Sequence, residues 1–364
     1  MSKSEVIERG SLLAMTSNQT VETTGSRFKA FLIRIAVVLG VAVSWACATQ
    51  FTKSALNIDS KRFFAPYSLV WFNTSFMSIC YPIFLLYAIL VEKRKLSEVN
   101  EHSALIFSAN GLSVQSLLKK VTPFLILWIL ANYSFGQSLG RISASAAASI
   151  MSSNAAMVCV LSSLLIKEKF TVEKVLSVLF AIGGVIVISM DREFAGDLIG
   201  ILLVTFSAAT AAFYKVFFKK YNGNATLGQV SMFMTGLGLM DLFVNVIPSA
   251  ILVLTKVDYI EFDAVPWLPL AGSATLGLVY NFKVNFGIAL LSPLIISIGM
   301  LCGIPLSAAI DIIFRQMAIT VTYVLGAVLI IVSFVLSTIP VRQLSRNVFG
   351  RKEETKTVDC VHRT

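Results

Sequence analysis

Residues 121–166 read VTPFLILWILANYSFGQSLG, then one arginine, then ISASAAASIMSSNAAMVCVLSSLLI. Two apolar runs, each near the roughly 20 residues an α-helix needs to cross a bilayer, are separated by Arg141 alone. Runs of similar length lie on both sides: Ala30–Phe51, Pro66–Val91, Val175–Met190, Leu198–Phe218, Val230–Leu254, Trp267–Leu291, Leu294–Phe314 and Met317–Ile339. With Val121–Gly140 and Ile142–Ile166 they predict an all-α membrane protein of about ten transmembrane helices. The first run lies too deep in the chain, without an A-x-A site, to be a signal peptide.

Composition agrees. The chain is 56% hydrophobic and 14% charged, with a mean hydropathy of +0.79, whereas soluble domains are about a quarter charged. The net charge of +10 is not a nucleic-acid patch, because Lys and Arg fall between the apolar runs. With the N-terminus inside, the inner ends and connections collect 22 of the 30 Lys and Arg. The outer ones collect seven: Lys53, Lys61, Arg62, Arg141, Arg192, Lys256 and Arg315. This bias places both termini in the cytoplasm, without saying which membrane is spanned.

An even number of spans with a break after the fifth suggests two five-helix repeats, inverted because five is odd. Phe135-Gly136-Gln137-Ser138-Leu139 resembles Phe286-Gly287-Ile288-Ala289-Leu290, and Leu32-Ile33 precedes Lys53 at the spacing by which Leu198-Ile199 precedes Lys219. The expected organisation is a cytoplasmic tail over 1–27, halves over 28–190 and 191–340, and a second tail over 341–364. The N-terminal tail carries Glu8-Arg9-Gly10-Ser11-Leu12-Leu13, an acidic dileucine spacing. Asn73-Thr74-Ser75 has glycosylation spacing but lies inside a span, where no sugar is expected. The loop Glu92–Lys120 has room for a short interfacial helix.

Charges inside a span cost several kcal/mol unless they face a cavity or a partner. Asp241 lies midway along the seventh run and Lys283 in the eighth. Asp241 reads either as an anionic or proton-relaying site or as half of a buried charge pair with Lys283. Asn281 and Asn285, four apart, share a helical face and offer donors and acceptors to a substrate. Trp128 and Asn132 share a face in the third run, beside Tyr133. Asp311 and Arg315, also four apart, read as an intrahelical pair at the outer rim or, for Asp311, a counter-charge to a substrate. The run Ser143–Ser149 followed by Ser152, Ser153 and Asn154 suits close helix packing, and Gly299-Met300-Leu301-Cys302-Gly303-Ile304-Pro305 suits a packing point and hinge. Only His102 and His362 are histidines, no CxxC pairs exist, and Walker, HExxH, GxSxG and GxGxxG motifs are absent. The expectation is no enzyme, no cofactor and no metal.

Several blocks carry a family resemblance: Trp45 with Thr49-Gln50 and Lys53; Ala65-Pro66-Tyr67-Ser68-Leu69-Val70-Trp71-Phe72; Pro123 with Trp128 and Asn132-Tyr133; Phe213-Tyr214-Lys215-Val216; Thr255-Lys256-Val257-Asp258-Tyr259; Asn281 with Asn285-Phe286-Gly287; and Ile304-Pro305 with Ile310-Asp311. By these the chain resembles solute carrier family 35, subfamily F, within the drug/metabolite transporter superfamily, with EamA-type halves. The resemblance implies a secondary transporter working by alternating access, in the branch to which thiamine transport is ascribed. Thiamine, an aromatic cation, would stack on Trp128 or Tyr133 and use Asp311 or Asp241 as counter-charge. Asp241 falls where the family has Asn and Lys283 where it has an aliphatic residue, which strengthens the charge-pair reading. Two rivals stay open: a nucleotide-sugar antiporter, using Lys283 and Lys215 for phosphates, and a non-transporting receptor or scaffold on a transporter fold. The partners implied are a small-molecule substrate and the lipid bilayer, with a homodimer as an open reading.

Overall fold

In hydrocarbon each backbone N–H and C=O must be satisfied within the protein, so apolar runs of this length become helices. The computed structural model describes residues 24–108, 112–165, 172–190, 197–223, 225–290, 293–316 and 320–338. The dileucine spacing, the tails beyond this range and Arg192 lie outside the described residues, as do the side chains of Arg315, Cys302 and Pro305.

Ten helical passes run through the described residues. The first is α1 (Thr24–Asn57); the second is α2 (Pro66–Ser75), a 3-10 turn (Phe76–Ile79) and α3 (Cys80–Leu90). After a short helix α4 (Leu96–Ala104) come α5 (Val114–Leu139), then α6 (Ala144–Ser152) with α7 (Asn154–Leu165), and α8 (Val172–Ser189) as third, fourth and fifth passes. The second half holds α9 (Leu198–Asn222), α10 (Leu227–Val244) with α11 (Val246–Leu254), α12 (Trp267–Leu290), α13 (Pro293–Arg315) and α14 (Val321–Thr338). By length and composition alone, five of these passes, 66–90, 114–139, 144–165, 198–222 and 227–254, qualify as membrane spans.

Packing follows an internal twofold. The first span lies against the eighth and ninth, and the sixth correspondingly against the third and fourth. The second pairs with the seventh, the fourth with the ninth and the fifth with the tenth. Advancing every number by five maps this pattern onto itself, as two inverted five-helix repeats require.

Three spans are broken, and partners across the bundle satisfy the breaks. Ser75 Oγ donates to Trp71 O at 2.7 Å where α2 gives way to the 3-10 turn, a side-chain bond that competes with helical geometry. Thr235 of the seventh span then accepts from the freed Tyr81 N–H at 2.8 Å. In return Trp71 Nε1 of the second span donates to Leu242 O at 3.3 Å, beside the break of the seventh at Asn245. The two spans approach closely here: a Cβ on Gly238 would sit 2.5 Å from the backbone nitrogen of Ser78. At the third break Asn154 Nδ2 donates to Ala208 O of the sixth span at 2.5 Å.

One end of the bundle carries a two-stranded antiparallel ribbon, β1 (Phe63–Phe64) with β2 (Tyr259–Ile260), which joins the halves. Its strands are too short for any alternation to show in sequence. Arg62 ties it with bonds to Glu261, at 2.7 Å, and to Asp263. That guanidinium holds the Asp263 carboxyl below the usual carboxylate range. The clasp is therefore intact above that range and is lost as acid protonates the carboxyl.

The fifth and tenth spans meet backbone to backbone. A Cβ on Gly184 would lie 2.8 Å from Gly326 O, and one on Gly326 would lie 2.9 Å from Gly184 O. Small residues permit this approach, and overpacking costs about 1–3 kcal/mol. Gly184→Val and Gly326→Val should each lower the thermal midpoint in detergent by that equivalent. Gly183→Ala, whose Cβ meets nothing within 4 Å, should leave it unchanged.

Candidate functional site

Two cavities lie one above the other between the halves. They share six lining residues: Trp45 of the first span, Trp128, Asn132 and Phe135 of the third, and Tyr280 and Asn281 of the eighth. Toward the ribbon end the lining continues with Thr49, Thr52, Asn73, Thr74 and Ser273. Away from it the lining includes Met151, Ser207, Tyr214 and Lys215. The cavities hold about 70 and 50 Å³, against the roughly 300–1,000 Å³ of pockets that enclose small-molecule ligands. As it stands the site is contracted.

Aromatic rings form its walls. Trp45 lies 4.9 Å from Tyr280 and 5.1 Å from Phe135, ring centre to ring centre, and Trp128 lies 5.4 Å from Tyr214. Helix spacing brings the polar groups to the same place: Trp45, Thr49 and Thr52 follow one face of the first span, and Ser273, Gly277, Tyr280 and Asn281 one face of the eighth. Trp45 Nε1, Thr49 Oγ1 and Asn73 Oδ1 are buried and have no hydrogen-bond partner among the described residues. A buried polar atom left unpaired costs about 1–3 kcal/mol. Three of them line this one cavity.

The predicted residues divide. Trp128, Asn132 and Asn281 line both cavities, Trp128 held by Nε1 donating to Thr74 Oγ1 at 3.0 Å and Asn132 by Nδ2 donating to Trp128 O at 2.8 Å. Asn285 stands behind the wall, accepting from Tyr214 OH at 2.8 Å and donating to Asn281 O at 2.9 Å. It positions Asn281 and Tyr214 rather than facing the cavity. Tyr133 turns away, edge-on to Tyr67 at 5.4 Å and accepting from Gln137 Nε2 at 3.2 Å.

Asp241 and Asp311, expected as counter-charges, are not among the lining residues, and both are fully buried. The Asp241–Lys283 charge pair does not form. Asp241 accepts from Asn245 Nδ2 at 2.6 Å, between the seventh and second spans, while Lys283 Nζ donates to Gly40 O of the first at 3.3 Å. The two side chains leave their helices on faces that meet different neighbours. Asp311 accepts from Gln50 Nε2 at 3.0 Å and from the Ser145 backbone N–H at 2.9 Å. It thereby binds the first and ninth spans to the first turn of α6, where a helix presents unpaired N–H groups and a partial positive charge. Lys53 adds bonds to Leu139 O and, at 2.8 Å, to Ile142 O. These contacts and the ribbon lie at the ribbon end of the bundle.

Sequence reasoning passed over Thr49, Asn73, Tyr280 and Ser273 as cavity groups. For Asn73 a signal is present, an amide inside an apolar run, but it is masked by the glycosylation spacing of which Asn73 is the first residue. Tyr280 adjoins Asn281 and could have been found from it.

Ten spans as inverted repeats around a midplane cavity define the drug/metabolite transporter fold. The EamA-like transporter family model matches residues 32–190. A solved crystal structure superposes with a TM-score of 0.56 over 85% of this chain and 98% of that one, at 13% identity, and so shares the fold alone. Among curated relatives, Solute carrier family 35 member F3 of Homo sapiens is 32% identical over 332 residues, covering 88% of this chain and 78% of that protein. Member F4 of Mus musculus is 31% identical over 84% of this chain and 63% of that protein. The Thiamine-repressible mitochondrial transport protein THI74 of Saccharomyces cerevisiae is 21% identical over 84% of this chain and 91% of that one. The chain belongs to solute carrier family 35, subfamily F, and is an integral membrane transporter.

If Asp311 holds the ribbon end shut, Asp311→Ala removes the acceptor of the Ser145 N–H and one acceptor of the Gln50 amide, which also donates to Ser307 O at 3.2 Å. The expected loss is about 1–3 kcal/mol of stability, read as a lower thermal midpoint in detergent, with Asp311→Asn closer to wild type.

Proposed function

We propose that the protein is a secondary transporter that moves a small, ring-bearing organic metabolite by alternating access, and that thiamine is its substrate. The observation that carries this reading is the contracted cavity with aromatic walls and three unpartnered buried polar atoms, Trp45 Nε1, Thr49 Oγ1 and Asn73 Oδ1. Rings offer faces to an aromatic cation, and the bare donor and acceptors match an aminopyrimidine and a hydroxyl. The family resemblance and the name of the yeast relative support thiamine over other ring compounds. The two halves, 28–190 and 191–340, act as the moving bodies, and both tails face the cytoplasm by the distribution of Lys and Arg.

A second reading is favoured by Lys215. It is 3% exposed, lines the cavity away from the ribbon end, and donates through Nζ to Asn154 Oδ1 at 2.5 Å. No carboxylate is among the described residues lining either cavity. A cationic side chain there would suit a phosphate or carboxylate on the substrate, as a nucleotide sugar or a phosphorylated vitamin would carry.

Counterflow of labelled thiamine in proteoliposomes of the full-length protein separates the two. Uptake is expected in wild type and should fall about tenfold in Trp45→Ala or Asn281→Ala, the loss of roughly 1.4 kcal/mol of binding. Absent thiamine exchange, with competition by a nucleotide sugar or thiamine phosphate that Lys215→Gln abolishes, would overturn the first reading in favour of the second.

A further inference from the structure

Asp241 is 0% exposed, yet only one of its carboxylate oxygens is bonded. Oδ1 accepts from Asn245 Nδ2 at 2.6 Å, and Oδ2 has no partner among the described residues. Among the described residues it has no ion-pair partner, since Lys283 is engaged with Gly40. Asp258, 1% exposed at the ribbon end of the same interface, repeats the arrangement. Its Oδ2 accepts from Ser68 N–H and Ser68 Oγ–H, each at 2.8 Å, and its Oδ1 is buried and bare. Consecutive residues of α2 join the two sites: Ser68 holds Asp258, and Tyr67 OH donates to Asn245 Oδ1 at 3.4 Å, the same amide that holds Asp241. Ser249 Oγ donates to Ser68 Oγ at 3.1 Å, extending the polar strip along the seventh span.

A buried carboxylate without a cation costs several kcal/mol, and a proton removes the charge. The titratable groups facing Asp241 are few. The second span supplies Tyr67, bonded to the Asn245 amide that holds Asp241, and Tyr67 in turn meets Tyr133 of the third span and Asp258 of the turn after α11. From the eighth, Lys283 faces Gly40 and Tyr280 the cavity. Cys80 and Tyr81 stand at the level of Thr235, six residues and about 9 Å down the helix. Glu98, Glu101 and His102 of α4 lie further along, at the level of Gln229. None neutralises Asp241 by ion pairing. At the outer group, burial pushes the Asp258 carboxyl above the usual carboxylate range, against the pull of its bonds to Ser68.

We propose that Asp241 is a proton-binding site, reached from the ribbon end through the strip that begins at Asp258, and that its proton loading is coupled to the rocking of the halves. Uptake of one proton converts the Asp241 carboxylate to the acid, and release returns it to water at the other stage of the cycle; no redox partner is involved. The second and seventh spans supply the coupling, because each satisfies the backbone break of the other beside this carboxyl. Motion that parts them admits water to Asp241 and stabilises the charged form. The coupling to substrate rests on the transport reading above, whereas the proton site does not.

Infrared difference spectroscopy on the full-length protein in liposomes tests the site without any substrate. Wild type should show the C=O stretch of a buried protonated carboxyl at neutral pH, and Asp241→Asn should remove it. Should that variant fail to fold, Asp241→Glu should shift the band instead. A spectrum unchanged by substitution at Asp241 would overturn the site. For the coupling, an imposed proton gradient should change wild-type thiamine uptake several-fold, and Asp241→Asn should reduce that response to less than twofold while counterflow continues. A variant with the full gradient response would overturn the coupling. Absent wild-type counterflow would count against thiamine instead, while the infrared result still decides the site.

Discussion

Polar groups buried between these helices can be satisfied only by other helices, and two carboxylates at helix starts show that constraint at work. Asp258 and Asp311 both belong to the second half, and each bonds a backbone N–H in the first turn of a helix in the first half, at Ser68 and Ser145. Such N–H groups have no intrahelical partner, and an anion there also meets the favourable end of the helix dipole. The second and fourth spans are thus anchored by the other half. The same constraint governs the breaks, where Thr235 and Trp71 exchange support between the seventh and second spans.

This arrangement places function between the halves. The cavity lies where the first, third and eighth spans converge, and the contacts at its ribbon end include a set of polar bonds. Lys53 on Leu139 O and Ile142 O, Gln50 and Ser145 on Asp311, and Arg62 on Glu261 and Asp263 are each few in number and directional. Bonds of this kind exchange readily for water. A gate built from them can open without dismantling the apolar packing, such as the Gly184–Gly326 contact that joins the fifth and tenth spans.

The spans were legible because length and apolarity decide them before any detail does. Their breaks were not, since Ser75, Ser153 and Asn245 are ordinary residues whose effect depends on a partner far away in sequence. Orientation about each helix axis was the harder problem. Lipid and protein interior are both apolar, so hydrophobic periodicity does not reveal which face turns inward as it does in a soluble helix. Trp128 and Asn132 line the cavities together because residues four apart share a helical face. Asn281 with Asn285 had the same spacing, yet only Asn281 reached the cavity, because Tyr214 from the sixth span captured its neighbour. Asp241 and Lys283 were matched by charge and by their shared departure from the family pattern, and neither says anything about the direction in which a side chain leaves its helix.

The central claim is that the bonds at the ribbon end open to expose the cavity. Spin labels at Arg141, in the turn between the third and fourth spans, and Gln316, just past the end of the ninth span in the other half, report this directly by their separation in liposomes, in a background with the native cysteines replaced. Two distance populations are expected, with the longer one enriched by Asp311→Ala and their ratio shifted by saturating thiamine. A single short distance in every condition would contradict the account.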